Sequence, residues 1–207
     1  MRNIYIIGAQ STGKTTLVNA LESYLNECAN TNSGKWPQNP LIIREVARTV
    51  LKDKNFSRED ITTSPIRALQ LQQHILRAQY EAETTACARD ASAWYICDRS
   101  GLDPIVYAAC FIGAEPAAEM LTSKVWLELE NRMKEGIVVV CEAGCHWLKD
   151  DGVRLMPSNE EEWMRIDHAF RGLLKARGIS FSILSKDMED IKERVEYVQM
   201  LIEGAKK

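Results

Sequence analysis

The chain has 207 residues and a formal net charge of −3, a size that suits one α/β domain with a large core. Lys and Arg gather in no cluster that would form a phosphate-backbone footprint, so an obligate nucleic-acid binder is not expected. No apolar stretch approaches membrane-spanning length, and the N-terminal residues are taken up by a strand rather than a secretory signal.

The first strand is expected at Asn3–Ile7, an apolar run that leads directly into Gly8-Ala9-Gln10-Ser11-Thr12-Gly13-Lys14-Thr15. That octet satisfies the phosphate-binding pattern GxxxxGK[ST], and an amphipathic helix follows from about Lys14 to about Glu27. Backbone N–H groups of such a loop curl around phosphates, and the helix points its positive end at them. Gly8, Gln10, Ser11, Thr12, Gly13, Lys14, Thr15 and Thr16 are therefore the candidate nucleotide-binding residues. Lys14 is expected on the β- and γ-phosphates, and the Thr15 hydroxyl on Mg²⁺.

The polar segment Asn30–Pro40 reads as a loop, with Trp36 undecided between packing and base contact. A second strand is expected at Leu41–Arg44, a long helix at Pro65–Ala91 and a third strand at Ala93–Cys97. Helices at Asp103–Phe111 and Glu115–Lys134 precede a fourth strand at Ile137–Cys141. A helix from Ser158, whose Ser-x-x-Glu pattern resembles a capping box, runs towards Arg177. A fifth strand at Ser180–Leu184 and a last helix from near Asp187 complete the chain. Strands alternating with helices predict a parallel sheet of about five strands covered on both faces, the three-layer α/β fold of P-loop NTPases. The six cysteines show no CxxC spacing, which favours reduced thiols in a cytosolic or nuclear compartment, and a cytoplasmic protein is expected.

In open α/β sheets chemistry gathers at the carboxyl ends of the strands. Asp98 follows the third strand, where a carboxylate holds Mg²⁺ or polarises an attacking hydroxyl; the competing reading is a helix cap. Arg99 is placed to contact a transferring phosphoryl group. Glu45, after the second strand, suits acceptor-hydroxyl binding or general-base work, against a solvated Glu paired with Arg44 or Arg48. Arg154 lies in the polar loop Asp150-Asp151-Gly152-Val153-Arg154, which reads as a lid near 145–158 that delivers a cation on closure, or as a solvated acidic loop. Trp147 beside it is a base-stacking or hinge aromatic. Gln70, Gln72, Gln73 and Gln79 on the long helix read either as acceptor-base contacts or as a solvated face. Cys141, Cys145 and His146 have some metal character without a fourth ligand, and His74 reads as a surface or packing histidine.

Four stretches carry a family resemblance: GAQSTGKTTL, REVAR, DRSGLDPIVYA and HWLKDDGVR. Together they resemble the small P-loop, AAA-like kinases and ATPases of NAD metabolism, typified by the ribosylnicotinamide kinase domain of bacterial NAD-biosynthesis regulators. That resemblance implies phosphoryl transfer from ATP, with Mg²⁺, to a small acceptor. Asp98-Arg99-Ser100 is also similar to the Asp/Glu-Arg-Ser/Tyr motif of nucleoside and nucleotide kinases. The leading expectation is thus one kinase domain over residues 1–207, a monomer or homodimer, acting on a nucleoside-like acceptor such as nicotinamide riboside without membrane or nucleic-acid partners. The alternative is a regulatory ATP- or GTP-binding protein, because Asp98-Arg99-Ser100-Gly101 matches the DxxG of GTPases; the guanine-selecting Asn-Lys-x-Asp is missing from the chain.

Overall fold

A computed structural model describes residues 1–30, 39–89, 93–146 and 159–205. Its sheet contains β1 (Ile4–Ile7), β2 (Leu41–Ile43), β3 (Tyr95–Asp98), β4 (Ile137–Cys141) and β5 (Ser182–Leu184), in the order β2-β3-β1-β4-β5. Every adjacent pair is parallel. Parallel strands buried on both faces read as continuous apolar runs, which explains why Ile4-Tyr5-Ile6-Ile7 is inaccessible throughout.

Alternation along the strands assigns side chains to two layers. Tyr5, Ile7, Tyr95, Cys97, Val138 and Val140 pack on one face, against Leu76, Leu102, Ile105, Trp126 and Phe170. These come from α4 (Pro65–Arg89), α5 (Leu102–Phe111), α7 (Lys124–Glu135) and α8 (Glu160–Ala176). Ile4, Ile6, Ile96, Val139 and Cys141 face the other side, against Leu17, Leu21 and Leu25 of α1 (Lys14–Asn30) and Val195, Val198 and Ile202 of α9 (Ile191–Gly204). The expected three-layer fold is present.

Several boundaries differ from expectation. The segment expected as one helix over Glu115–Lys134 is two, α6 (Ala114–Thr122) and α7, because Ser123 adopts an extended conformation. Its hydroxyl donates to the Met120 carbonyl (2.7 Å) and accepts from the Trp126 amide (3.2 Å), closing one helix while capping the next. The eighth helix is capped by Asn159, whose Oδ1 accepts from the Glu162 amide (2.8 Å); Ser158 lies outside the described residues. The last helix starts at Ile191, four residues beyond Asp187, with Asp190 as its cap. Two short helices, α2 (Val46–Asp53) and α3 (Arg58–Thr63), are not legible in the sequence, since eight and six residues carry too little periodicity.

Register fixes what reaches the carboxyl edge. Ile6 pairs with Asp98, and Ile43 with Cys97. Asp98 therefore lies beside the end of β1, and Glu45 follows two residues after the end of β2. The connection from β1 runs to β2 on one side of it, whereas that from β3 crosses to β4 on the other side, and such a switch point opens a crevice at the strand ends.

Candidate active site

The loop after β1 owes its shape to backbone that only certain residues tolerate. Gly8 has φ +130°, and a Cβ there would lie 2.5 Å from the Cys141 carbonyl oxygen of β4. Gly13 (φ 82°) and Ser11 (φ 59°) both have positive φ, with Thr12 between them outside that region. Thr12 Oγ1 donates to the Ala9 carbonyl (3.0 Å), tying the loop across its middle.

Lys14 folds back into this loop. Its ammonium donates to the Ala9 carbonyl and to Thr12 Oγ1 (3.3 Å). Burial, reinforced by the nearby Arg99 guanidinium, lowers its pKa to about 8, so the lysine is a desolvated cation held where phosphate charge would relieve it. Gln10, also buried, accepts a hydrogen bond on Oε1 from the Tyr107 hydroxyl (2.7 Å). Its Nε2 has no partner among the described residues.

Thr15 and Asp98 meet across the strand ends: Thr15 Oγ1 donates to Asp98 Oδ2 at 2.6 Å. The second oxygen, Asp98 Oδ1, is buried with no hydrogen-bond partner among the described residues. A buried carboxylate oxygen without a donor is costly unless something cationic satisfies it. A hydroxyl and a carboxylate side by side at a strand end form the oxygen donor set that Mg²⁺ prefers, shared with water and phosphate. The residues present therefore fit the ion. Among the described residues there is no group of three or more His, Cys, Asp or Glu side chains that would hold a metal alone.

Beyond Asp98 the chain turns sharply. Arg99 adopts φ 85°, and its amide donates to the Ile6 carbonyl (3.0 Å). This left-handed step turns the arginine inward, where its Nε meets Glu45 Oε1 (2.7 Å) and its Nη1 meets Asp103 Oδ1 (3.3 Å). Glu45 Oε2 also accepts from Arg48 Nε (3.0 Å). Burial alone would lower the Arg99 pKa, but Glu45, Tyr107 and Asp103 outweigh it and keep the guanidinium charged. Burial pushes the Asp103 carboxyl up against the pull of Arg99 and Lys14. Asp103 also accepts from the Ser100 amide (2.8 Å) and hydroxyl (3.0 Å), and Ser100 Oγ in turn accepts from the Leu102 amide (3.1 Å) at the start of α5. Tyr107, pushed up to about 12 by burial, stays a phenol.

The structure thus gathers Lys14, Thr15, Asp98, Arg99 and Glu45, while Thr16 sits exposed at the start of α1. Glu45 is not a solvated surface residue paired only with a neighbouring arginine, since it is buried against Arg99. Arg154, Trp147 and Trp36, and with them the lid expectation beyond His146, lie outside the described residues. The long-helix glutamines divide: Gln70 and Gln73 are exposed, whereas Gln72 and Gln79 face inward. Gln79 Nε2 donates to Glu83 Oε1 (2.9 Å) and to Cys97 Sγ (3.4 Å), so neither the base-reading nor the solvated-face expectation describes it. His74 is exposed beside the Phe56 ring, as a surface histidine. Cys141 and Cys145 are buried, and His146 instead pairs with Glu189 (3.4 Å). Tyr107 was missed, although its spacing of four residues from Asp103 on a helix was a usable signal. Trp163 and Arg194, which also reach the loop, left none.

The sheet order, the glycine loop after its central strand and the Thr15–Asp98 junction define a P-loop NTPase fold. The chain belongs to the AAA domain family, whose model matches residues 3–194. No curated protein matches it. Among solved structures it is similar to deoxyadenosine kinase from M. mycoides with bound dATP, at a TM-score of 0.65 and 14% identity over 98% of this chain and 100% of that one. It is similar to the NadR protein in complex with NR, at a TM-score of 0.63 and 16% identity over 96% of this chain and 50% of that one. Thymidylate kinase from Ehrlichia chaffeensis follows at 0.58 and 16%, over 97% and 98%. At identities this low the structural likeness shows a shared fold alone. Among the described residues no helix is long and apolar enough to cross a membrane.

Proposed function

We propose that this protein is an ATP- and Mg²⁺-dependent small-molecule kinase that transfers the γ-phosphoryl group to a hydroxyl of a nucleoside-like acceptor. The observation that carries this reading is the Thr15–Asp98 contact, with its unpartnered Asp98 Oδ1, beside a buried Lys14 and a buried Glu45–Arg99 pair. A triphosphate, a divalent ion and an acceptor each find suitable chemistry within a few side chains. The dATP in one similar kinase and the NR in another structure are consistent with it.

In this mechanism the loop amides and Lys14 hold the β- and γ-phosphates. Thr15 and Asp98 would hold Mg²⁺, which supplies charge neutralisation at the transferring group. The acceptor lies beyond the γ-phosphate, over the ends of β2 and β3, with Glu45 orienting its hydroxyl. The acceptor oxygen forms a bond to the γ-phosphorus, the bond to the β–γ bridging oxygen breaks, and the hydroxyl proton passes to a carboxylate at the site. Arg99 stabilises the charge on the transferring group, and Arg154, on a lid near 145–158, completes the cation set. Residues 1–207 act as a single kinase domain in the cytoplasm.

The GTPase-like reading of Asp98–Gly101 is weakened by Gly101 itself. A Cβ there would meet Leu129 Cδ1 at 2.6 Å, so close packing against α7 already accounts for the glycine. Incubation with ATP, Mg²⁺ and a panel of nucleosides, nicotinamide riboside first, should yield one phosphorylated product by mass spectrometry. Asp98→Asn should reduce its formation by at least about 100-fold. Equal ADP release with and without every acceptor, or preference for GTP, would favour the regulatory alternative.

A further inference from the structure

Three successive carbonyls of the P-loop are each held from outside by a side chain from a different, distant element. Trp163 Nε1, in the first turn of α8, donates to the Gln10 carbonyl at 2.8 Å. Cys145 Sγ, four residues past the end of β4, approaches the Ser11 carbonyl at 3.7 Å as a weak thiol donor. Arg194 Nη2, in the first turn of α9, donates to the Thr12 carbonyl at 3.1 Å. All three side chains are buried, and the Arg194 contact spans 182 positions of the chain.

A planar trans peptide points its C=O and the following N–H in opposite directions. Turning the carbonyls of Gln10, Ser11 and Thr12 outward therefore turns the amides of Ser11, Thr12 and Gly13 inward, to the concave side of the loop. These amides are donors for an anion, and their value depends on being aimed before the anion arrives. Loop peptides could otherwise rotate, because glycine backbone is permissive and a serine at positive φ is strained relative to its right-handed alternative.

We propose that Trp163, Cys145 and Arg194 are positioning residues that form an outer collar, each orienting one amide of the phosphate cradle. The inference rests on the triphosphate-binding part of the proposed function and extends it to residues that touch no substrate. Each collar residue has its own amide: Trp163 sets Ser11, Cys145 sets Thr12 and Arg194 sets Gly13.

The test uses inorganic tripolyphosphate with Mg²⁺, which reports the cradle without base recognition. Titrations by calorimetry and by backbone amide resonances would compare the native protein with Trp163→Phe, Cys145→Ala, Arg194→Met and Arg194→Lys, at a temperature where melting curves show each fully folded. Trp163→Phe and Arg194→Met should each weaken binding about 5- to 20-fold, as for a hydrogen bond that orients a charged contact. Cys145→Ala should weaken it about 2- to 3-fold, as for a weak donor. The ligand-induced shift should shrink chiefly at Ser11 for Trp163→Phe and at Gly13 for Arg194→Met, and Arg194→Lys should recover part of the Gly13 response. General loosening of the fold would blur all three amides together, and that pattern overturns the collar. So does native-like affinity in Trp163→Phe and Arg194→Met while the native protein binds, an outcome that leaves the kinase reading standing. A native protein that binds neither tripolyphosphate nor ATP overturns both.

Discussion

Lys14 offers the sharpest test, because the same residue that should bind phosphate should also destabilise the protein without it. Its pKa falls from 10.5 to about 8 through burial and the Arg99 charge. That depression corresponds to about 3 kcal/mol lost by the folded state at neutral pH. The sign follows from proton counting: between pH 8 and 10.5 the unfolded chain holds the proton and the folded one does not, so stability rises with pH across that window. Below pH 8 the full penalty is present; above 10.5 it is gone. Lys14→Met removes the charge but keeps the aliphatic stem. It also loses the donations to Ala9 and Thr12, of about 1 kcal/mol each, although Thr12 Oγ1 still serves the Ala9 carbonyl. A net gain of about 1–2 kcal/mol at pH 7 remains, or a rise in melting temperature of about 2–8 °C for a chain of this size. Thermal melts at pH 7 and pH 10, each with and without Mg-ATP, measure this directly. The variant should melt higher than the native protein at pH 7 without nucleotide, lose that advantage by pH 10, and gain nothing from ATP. A variant that melts lower at pH 7, or that ATP still stabilises, would refute the assignment of Lys14 as a desolvated phosphate ligand.

Glu45→Gln keeps an oxygen near Arg99 but removes the charge from a buried cluster in which Asp103 still partners the guanidinium. We expect a loss of about 2 kcal/mol in stability, read as a melting shift of about 4–8 °C, and a larger fall in kcat/KM for the acceptor than for ATP; unchanged acceptor kinetics would confine Glu45 to the ion cluster. Arg154→Ala should slow transfer far more than it weakens ATP binding, as for a cation that acts in the transition state, and equal losses in kcat and in ATP affinity measured by calorimetry would make it a ground-state contact. Gly8→Ala must move the Cys141 carbonyl out of contact in a backbone conformation hostile to side chains, so a loss of at least about 2–3 kcal/mol in chemical denaturation is expected.

How much of this was legible depends on the range of each signal. The P-loop could be read because strand, glycine turn and helix are contiguous, and its glycines are demanded by backbone conformations that few residues adopt. Asp98 could be placed because an acidic residue ends an apolar run. The inward turn of Gln79 could not, because Cys97 belongs to β3, and Glu83, one turn along the same helix, faces inward only through Tyr5 and Tyr95 of β1 and β3. Nor could the break at Ser123, where a single extended residue interrupts a segment whose composition is helical on both sides.

The amino-acid sequence by itself determined the sheet of five strands, the phosphate-binding loop and the carboxylates at the strand ends, since each is written in neighbouring residues as a continuous apolar run or a fixed motif spacing. Only the tertiary structure decided what those residues do to one another. It inserted β3 between β1 and β2, and so brought Glu45 to Arg99 across 54 positions of chain. It also carried Trp163 and Arg194, from helices near the end of the chain, to successive carbonyls of a loop near its beginning. Contacts of that span arise from strand order and layer packing, in which a residue's neighbours are chosen by the whole fold, and local patterns hold no record of them.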